Sequence, residues 1–575
     1  MRILLCTLNA QYVHTSLALR LLEAAGASTP HDLVRLEFTI NDPLDLVEAE
    51  IDRAAPDLVA FSCYIWNIAP ILEICDSLKK ARPELRILLG GPEVTYDAPA
   101  LLAMNPAVDF IISGEGEQPW TALLAALPDG PWSGVPALTW REGGTIGSNP
   151  AAPPLSLDTL PDPYGESPQG LAGRLVYCET SRGCPFSCAF CLSGNPGAVR
   201  FLDPERALAG IDALAGSGAL AVKFVDRTFN CRRGHAMAVW QGLLRHRGGL
   251  RFHFELAGDL LTEEDLAFLA AVPPGLFQFE IGVQSTNPET LAAIGRPQDL
   301  GRLAANVRRL AAAGNIHLHL DFIAGLPYED YERFLASLDF GLDLRPDTLQ
   351  LGFLKMLKGS SLRREAETLG YVYRRRPPYE IIRNPWLSFS DIRRLKTMAV
   401  LIGSFFNERR FAASLPRLWR AWPSPARFFA DLAAWWEGES LHLRPHQAKD
   451  LPGHLLRFAA SRGQDGPVLR DCLRYDLHCL GRYDGEPPWA AGAPPEPGDW
   501  RLWLRDPGHR ALLGPEFTAA GPREALRRVK VLSFRHDPAA PPEEISPGPA
   551  TIALIYPERG GGERVRAVRL PPDLT

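Results

Sequence analysis

Three closely spaced cysteines are the residues of this sequence best suited to inorganic chemistry. Cys184, Cys188 and Cys191 follow the pattern C-x3-C-x2-C within residues 180–194, TSRGCPFSCAFCLSG. Thiolates are the usual ligands of iron-sulfur clusters, and a [4Fe-4S] cube has four irons. Three cysteines can therefore hold three irons and leave the fourth iron free to bind another molecule.

Zinc is the competing metal for such a group of cysteines. A structural zinc site needs four closed ligands, and no Cys or His at a suitable local spacing supplies the fourth. Cys178 lies in the strand predicted before the motif, while Cys231 is distant in the sequence. We therefore favour the iron-sulfur cluster.

The polar residues of the strands predicted beyond residue 170 indicate an active-site lumen. Parallel strands normally carry apolar residues on both faces, but here polar and apolar residues alternate. The polar positions are Lys223, Arg251, His253, Glu255, Gln278, Glu280, Gln284, His317, His319 and Asp321. Apolar residues under helices and polar residues on the opposite face predict a complete or partial α/β (TIM-like) barrel.

A satisfied buried polar network is the alternative explanation for this stripe. It does not explain why the cysteine motif falls at the end of the first strand of the unit, residues 175–180. The coincidence favours a barrel lumen that serves the cysteine site.

The N-terminal part of the chain predicts a doubly wound (Rossmann-like) parallel sheet. Strands are expected at residues 2–6, 33–38, 58–62, 86–89 and 109–113, and helices begin near residues 16, 44 and 70. In such sheets, ligands bind in the crevice beyond the carboxyl ends of the strands.

The residues expected in that crevice include two groups of glycines. The candidate binding residues are Asn9, Tyr64, Gly90, Gly91, Pro92, Glu93, Gly114 and Glu115. Glycines let a backbone approach a bulky nucleotide or corrin closely, although ordinary turn chemistry also explains them. No G-x-G-x-x-G follows a strand, so a dinucleotide site is disfavoured.

Three Pro/Gly-rich stretches, at residues 147–170, 484–499 and 537–549, divide the chain. We predict a first domain at 1–145, a linker at 146–169, a barrel at 170–395 and a mainly helical C-terminal region at 396–575. In the last region Trp419, Trp422, Trp435 and Trp436 are expected in the core. The basic run at 374–376 is interpreted as a solvated face, with a phosphate site as the alternative.

Composition restricts the classes of function. The chain has 575 residues, of which 46% are hydrophobic and 22% charged, as in a folded protein of several domains. Its net charge of −6 provides no overall basic field for nucleic acid. We expect a cytoplasmic protein without a membrane partner, because no apolar run approaches the roughly 18 residues of a membrane span and no signal peptide is recognisable. Its ten cysteines would then be reduced rather than a disulfide framework.

The cysteine motif, with aromatic Phe190 before its last ligand, resembles the signature of the radical S-adenosylmethionine (SAM) superfamily. The resemblance implies that the free iron chelates the amino and carboxylate groups of SAM. An electron, from a donor such as flavodoxin or ferredoxin, then cleaves SAM to methionine and a 5′-deoxyadenosyl radical.

Blocks beyond the motif resemble the subgroup of that superfamily with an N-terminal cobalamin-binding domain. These blocks are residues 224–230, 280–285 and 321–327, and the loops after the N-terminal strands resemble the subgroup's corrinoid domain. The C-terminal region resembles that of a subset whose last domain has no assigned role. The implied cofactors are a [4Fe-4S] cluster, SAM and cobalamin.

Within the barrel, the resemblance implies that Phe190, Glu255, Glu280 and Gln284 contact SAM, since carboxylates accept hydrogen bonds from hydroxyl or amino groups. Asp226 is expected either to shape the rim of the barrel or to act as a strand-end turn carboxylate.

One feature departs from many corrinoid proteins, namely the absence of D-x-H-x-x-G, whose histidine lies beneath cobalt. His14 is the nearest candidate, but a histidine at a helix start is more often a cap or core residue. The lower face of cobalt would then meet water or the loop of residues 64–67. A domain that has lost its cofactor is the alternative.

The leading hypothesis is therefore methylation of an unactivated carbon in an unidentified substrate. The second is a cobalamin-associated rearrangement, cyclisation or other radical reaction without methyl transfer. The third is a non-catalytic sensor that binds the cofactors.

Overall fold

Alternating strands and helices build the N-terminal part of the chain. The computed structural model describes residues 1–165, 169–194, 199–246, 249–483, 485–490, 493–494, 496–498, 500–519, 521–544, 547–557 and 565–571. The first strands are β1 (Arg2–Asn9), β2 (Asp32–Thr39), β3 (Leu58–Ser62), β4 (Arg86–Gly90), β5 (Phe110–Ile112), β6 (Leu138–Glu142) and β7 (Thr145–Ser148). The helices among them are α1 (Leu17–Gly26), α2 (Leu44–Ala54), α3 (Ile68–Ala81), α4 (Ala98–Met104) and α5 (Glu117–Ala126).

These strands form one sheet in the order β2-β1-β3-β4-β5-β6-β7. Strands β1 to β5 are parallel, which confirms the predicted doubly wound sheet. The antiparallel strands β6 and β7 were not predicted. Gly143 and Gly144, with φ of 54° and 84°, form the turn between them. The sheet therefore continues to Ser148, beyond the predicted start of the linker at residue 146.

Two apolar clusters cover the two faces of this sheet. On one face, Leu19 of α1 and Trp120 of α5 pack on residues such as Leu5. On the other face, helices α2 to α4 pack on residues such as Leu4 and Cys6. Burial on both faces explains why the strands are almost wholly apolar, and it leaves only their carboxyl ends for polar chemistry.

The barrel follows, beginning near residue 171. Its strands are β8 (Leu175–Cys178), β9 (Ser181–Arg182), β10 (Arg200–Phe201), β11 (Ala221–Phe224), β12 (Phe252–Leu256), β13 (Phe277–Gln284), β14 (His317–Ala324), β15 (Thr348–Phe353), β16 (Val372–Tyr373) and β17 (Ile381–Arg383). Its helices are α6 (Pro204–Leu214), α7 (Arg233–Leu243), α8 (Glu263–Ala270), α9 (Pro288–Ala293), α10 (Leu300–Ala313), α11 (Tyr331–Asp343) and α12 (Ser361–Arg364).

Six of these strands form an open sheet in the order β15-β14-β13-β12-β11-β8. The strands from β8 to β14 pair in parallel. Along β12 and β13, buried residues alternate with half-buried ones, so that Phe254 and Phe279 face the helices while Glu255 and Glu280 face the lumen. The predicted partial α/β barrel with one polar face is confirmed.

The chain divides into two compact units. The first comprises Met1–Ser337, Leu344–Asp347 and Leu351–Phe389, so it contains both the N-terminal sheet and most of the barrel. The second comprises Leu338–Asp343, Thr348–Gln350 and Ser390–Thr575.

The C-terminal part is mainly helical, as predicted, but it also contains a small sheet. Its helices are α13 (Phe389–Leu401), α14 (Leu415–Leu418), α15 (Pro425–Gly438), α16 (Leu451–Ser461), α17 (Pro467–Leu480), α18 (Trp500–Trp503), α19 (Pro507–Leu512), α20 (Pro515–Ala519) and α21 (Pro522–Arg528), with a π-helix at Ile402–Asn407. Its strands β18 (Val529–Phe534), β19 (Ala550–Ile555) and β20 (Arg566–Arg569) form an antiparallel sheet.

The predicted tryptophans of the second unit lie in an aromatic core. Trp436 is buried, and Trp422 and Trp435 both contact the ring of Phe458. In the described part of the chain, no helix is both long and apolar enough to cross a membrane.

Candidate functional site

One large cavity in the first unit joins the carboxyl ends of the two parallel sheets. Its volume is about 1160 Å³, above the roughly 300–1,000 Å³ of sites for drug-sized ligands. All eight residues predicted on the N-terminal sheet line it, namely Asn9, Tyr64, Gly90, Gly91, Pro92, Glu93, Gly114 and Glu115. The barrel contributes Tyr177, Cys191, Lys223, Arg227 and Glu255 among others. The volume and the two-sided lining suit a ligand larger than a nucleotide together with a second small molecule.

Part of the cavity lining is apolar. It includes Leu22 of α1, Ala60 of β3 and Trp120 of α5. Apolar lining of this kind suits the apolar part of a large ligand.

The loop after β4 passes close to the neighbouring strand end. Gly91 has φ of 106°, and a Cβ placed on it would lie 2.5 Å from the carbonyl oxygen of Cys63. Only glycine satisfies both the conformation and the close approach. The glycine that its position at the strand end predicted is therefore required by the positive φ and by the close approach to Cys63.

The loop of residues 64–67 is fixed by the buried amide of Asn67. Its Oδ1 accepts a hydrogen bond from the Tyr64 backbone N–H at 2.7 Å, and its Nδ2 donates to the Leu8 carbonyl at 3.1 Å. The rings of Tyr64 and Trp66 stack at 4.5 Å with an interplanar angle of 4°. The two stacked rings form an aromatic surface that lines the cavity.

His14, the candidate axial ligand, also lines the cavity but has a partner in the barrel. Its Nδ1 is hydrogen-bonded to the hydroxyl of Tyr177, and the two rings stack at 5.9 Å. Burial lowers the pKa of His14 and raises that of Tyr177 to about 12. This histidine therefore lies where the N-terminal sheet meets the barrel, and not on a free loop.

The three cysteines lie on one loop, with a donor group near each sulfur. Thr228 Oγ1 is 3.4 Å from Cys184 Sγ, Arg296 Nη1 is 3.7 Å from Cys188 Sγ, and the Ser193 N–H donates to Cys191 Sγ at 3.4 Å. All three thiols are free. Hydrogen bonds to sulfur help to set the reduction potential of a thiolate-held cluster. These polar neighbours suit such a cluster, and its ligation by the three cysteines stays a prediction.

Asp226 holds the start of the cysteine loop. Its carboxylate accepts hydrogen bonds from the Thr180 N–H at 3.0 Å, the Thr180 hydroxyl at 2.7 Å and the Ser181 hydroxyl at 2.6 Å. Burial raises the pKa of Asp226 to about 6, against these hydrogen bonds. It is a strand-end carboxylate that fixes the loop, and not an exposed residue of the rim.

Lys223 lies beside two carboxylates of the lumen, Glu280 and Glu255. Its Nζ lies 3.1 Å from Glu280 Oε2 and 3.8 Å from Glu255 Oε1, while His253 Nε2 is 2.9 Å from Glu280 Oε2. Burial alone would raise the pKa of Glu280, but the hydrogen bond from His253 and the charge of Lys223 lower it well below its usual range. Glu280 is therefore a fixed anion that holds Lys223 in place.

Glu255 is the more available of the two predicted lumen carboxylates. It lines the cavity, and its cationic neighbours Lys223 and Arg227 are at 3.8 Å and 3.7 Å, outside hydrogen-bond distance. Burial raises its pKa. An acceptor of this kind can bind a hydroxyl or amino group of a ligand.

The other predicted SAM contacts do not line the cavity. Phe190, Glu280 and Gln284 are not among the described residues that line the cavity. Gln284 has φ of 69°, and its Oε1 is buried without a hydrogen-bond partner among the described atoms. Their contact with SAM stays a prediction.

Arg182 was not identified from the sequence, although it lies two residues before Cys184. Its guanidinium is 2.8 Å from Glu117, 2.7 Å from Glu179 and 3.2 Å from Glu115. Arg200 also pairs with Glu115. Glu115 is thus held by the barrel, and a sequence pattern could not show this because its partners are remote in the chain.

Comparisons with protein families identify three segments of the chain. Residues 3–124 match the B12 binding domain, residues 178–341 the Radical SAM superfamily, and residues 367–546 a protein of unknown function, DUF4080. The chain therefore carries a B12-binding domain, a radical SAM domain and a DUF4080 domain. The cofactors that these domains imply are cobalamin, a [4Fe-4S] cluster and SAM.

Among curated proteins, the chain is 30% identical over 325 residues to the cobalamin-dependent radical SAM methyltransferase TokK of Streptomyces tokunonensis, covering 52% of this chain and 47% of TokK. It is 29% identical over 327 residues to the 2-(S-pantetheinyl)-carbapenam-3-carboxylate methyltransferase of Streptantibioticus cattleyicolor, with the same coverage of 52% and 47%. The chain thus spans about half the length of these relatives.

Among solved structures, the cobalamin-dependent SAM radical enzyme OxsB with aqua-cobalamin bound superposes with a TM-score of 0.58 at 15% identity, over 83% of this chain and 79% of OxsB. At this identity the likeness concerns the fold.

Proposed function

We propose that this chain is a cobalamin-dependent radical SAM methyltransferase that acts on an unactivated carbon. The observation that carries the proposal is the single cavity lined both by the loops of the B12-binding domain and by the cluster loop of the barrel. A shared cavity allows one substrate to meet both cofactors. The named methyltransferases among the relatives favour methyl transfer over the other radical reactions.

We assign residues 170–395 to the barrel and 396–575 to a C-terminal domain of unassigned role, and we extend the cobalamin domain from the predicted 1–145 to Ser148, where its sheet ends. Cys184, Cys188 and Cys191 would hold the cluster, and the eight loop residues of the N-terminal sheet would surround cobalamin. The stacked rings of Tyr64 and Trp66 would contact the corrinoid, and Trp120 would contact another apolar part of it.

When bound, the cluster would supply the electron that cleaves SAM to a carbon radical, and cobalamin would supply a carrier for the methyl group. The residues of the chain bind and orient the cofactors. Glu255 would accept a hydrogen bond from SAM, while Lys223, fixed by Glu280, places a positive charge beside it. Arg296 reduces the negative charge near Cys188.

Cofactor content is the first test of this proposal. Anaerobic reconstitution should give about four iron and four sulfide per chain and one cobalamin, and replacing Cys184, Cys188 and Cys191 together by Ala should abolish the iron content. The matched control is C178A, which removes a cysteine of the strand before the loop and should keep the cluster. A triple variant that retains four iron would contradict the assignment.

Cleavage of SAM separates the enzyme from a cofactor-binding sensor. The reduced, reconstituted chain should convert SAM to 5′-deoxyadenosine, as measured by liquid chromatography. A chain that binds both cofactors but leaves SAM intact after full reduction of the cluster would be a sensor.

We infer that the electron comes from a reduced flavodoxin or ferredoxin and that the protein works in the cytoplasm, where free thiols such as its ten cysteines stay reduced. Reduced flavodoxin should support SAM cleavage in place of dithionite. Failure of both flavodoxin and ferredoxin, with dithionite active, would exclude these donors.

A further inference from the structure

A short segment after β15 runs between the two cofactor loops. Its chain is held against the residues before β17, because the Met356 N–H donates to the Tyr379 carbonyl at 3.0 Å and the Ile381 N–H donates to the Leu354 carbonyl at 3.1 Å. We name residues 356–363 together with Tyr379 the latch. We name residues 91–97, which follow β4, the corrin loop.

The latch binds the corrin loop through buried polar groups. The Tyr379 hydroxyl donates a hydrogen bond to Glu93 Oε1, and the two residues are only 4% and 5% exposed. Lys358 Nζ lies 3.3 Å from the Glu93 carbonyl oxygen, 3.5 Å from Glu93 Oε1 and 3.0 Å from Asp97 Oδ2. A buried carboxylate with two such partners is costly to separate from either of them.

Shape complementarity accompanies these polar contacts. Gly359 has φ of 86°, and a Cβ placed on it would lie 2.3 Å from the ring of Tyr96 in the corrin loop. The absence of a side chain at Gly359 therefore lets the backbone of the latch lie directly on the ring of Tyr96.

The other end of the latch binds the cysteine loop. The Ser361 hydroxyl and the Leu362 N–H both donate to the carbonyl of Ala189, at 3.2 Å and 2.9 Å. Ala189 lies between Cys188 and Cys191.

Arg363 connects the start of the latch to Tyr379. Its guanidinium donates to the Met356 carbonyl at 2.7 Å and lies 4.5 Å from the centre of the Tyr379 ring. One short segment thus connects the loop beside the corrin to the loop of the cluster.

We propose that the latch is a positioning element that fixes the separation of the corrin loop and the cysteine loop, with Tyr379 and Lys358 as its positioning residues. The inference rests on the proposed function, because the separation matters only if one substrate meets both cofactors. A displacement of about 1 Å between reacting groups can reduce a rate about a hundredfold. Tyr379 lies in the DUF4080 segment, so the first residues of that segment receive a role at the cavity.

The first test uses the full chain without cofactors. In Y379F, Glu93 loses its phenol donor, so amide hydrogen exchange in residues 91–97 should become about tenfold faster. The matched control is Y373F, since the ring of Tyr373 also lies near Arg363, at 5.6 Å, but no hydrogen bond among the described residues joins it to the corrin loop. K358M should accelerate exchange of the same residues. Unchanged exchange in both Y379F and K358M would overturn the latch.

The second test uses the chain loaded with cluster and cobalamin. Dipolar electron paramagnetic resonance between cob(II)alamin and the reduced cluster should give one narrow distance in the wild type and Y373F, and a broader distribution in Y379F and K358M. Distributions as narrow as the wild type in both variants would overturn the positioning role alone. A wild-type chain that binds no cobalamin would overturn the proposed function, and the latch as a positioning element with it.

Discussion

At the scale of single residues, the contacts of His14 leave one ring nitrogen for other partners. Nδ1 is hydrogen-bonded to Tyr177 and the two rings stack, so a metal could be reached only through Nε2. Tyr64 and Trp66 supply an aromatic surface in the same cavity. The expectation that no histidine lies beneath cobalt rests on the missing D-x-H-x-x-G motif.

We predict that the cob(II)alamin form shows no axial nitrogen splitting in its electron paramagnetic resonance spectrum. The H14A variant should give the same spectrum as the wild type, since we expect no histidine on cobalt and the ring of His14 is held by Tyr177 of the barrel. Nitrogen splitting that disappears in H14A would contradict this.

Glu329 is a buried carboxyl group beside the end of β13. It is 0% exposed and accepts hydrogen bonds from the hydroxyls of Ser285 and Ser337, at 2.6 Å and 2.8 Å. Burial raises its pKa from 4.5 to about 7, although the two serines oppose the shift. Because the folded state holds this proton more tightly than the unfolded state, stability is lost as the pH rises through about 7.

The E329Q variant should lose this pH dependence. Between pH 5 and pH 8 the wild type should lose about 3 kcal/mol of unfolding free energy relative to E329Q, as measured by chemical denaturation. E289Q, which changes an exposed carboxylate on α9, is the control and should follow the wild type. Equal pH dependence in the wild type and E329Q would show that Glu329 is not the group responsible.

At the scale of elements, two glycines with positive φ allow the stability cost of backbone strain to be compared with the cost of a steric clash. Gly91 would place a Cβ 2.5 Å from Cys63 O, whereas Gly114, with φ of 78°, has nothing within 4 Å. G114A should therefore cost about 1 kcal/mol of stability through its conformation alone. G91A should cost about 3 kcal/mol or more, because a clash is added to the strain.

G91A should also weaken cobalamin binding more than G114A does, since the corrin loop must move to relieve the clash. Thermal unfolding measures the loss of stability, and equilibrium binding of hydroxocobalamin measures the loss of affinity. Equal losses in the two variants would contradict the close approach at Gly91.

The sequence predicted those elements whose pattern is local. The five parallel strands and the polar stripe of the barrel follow from alternation and turn residues, and all eight corrin-side residues line one cavity. Strands β6 and β7 were missed because they are short and β7 ends inside the Gly- and Pro-rich stretch that resembles a linker. Two sets of contacts could not be predicted because they join residues far apart in sequence. They are the ion pairs of Arg182 with Glu115 and Glu117 and the hydrogen bond from Tyr379 to Glu93.

At the scale of the whole molecule, two parallel sheets present their carboxyl ends to one cavity. The B12-binding domain supplies one wall and the radical SAM barrel the other. Arg182 and the latch hold the two walls together through buried ion pairs and hydrogen bonds. This arrangement is what a reaction needs when one substrate carbon is first activated and then methylated without leaving the site.

The most direct test of the methyltransferase proposal is the fate of methyl-deuterated SAM during turnover with the true substrate, found among metabolites that copurify anaerobically with the chain. We expect that each product gains the labelled methyl group and that two SAM are consumed, yielding one S-adenosylhomocysteine and one 5′-deoxyadenosine. Turnover that yields 5′-deoxyadenosine without S-adenosylhomocysteine, and a product without label, would contradict methyl transfer and establish another radical reaction in its place.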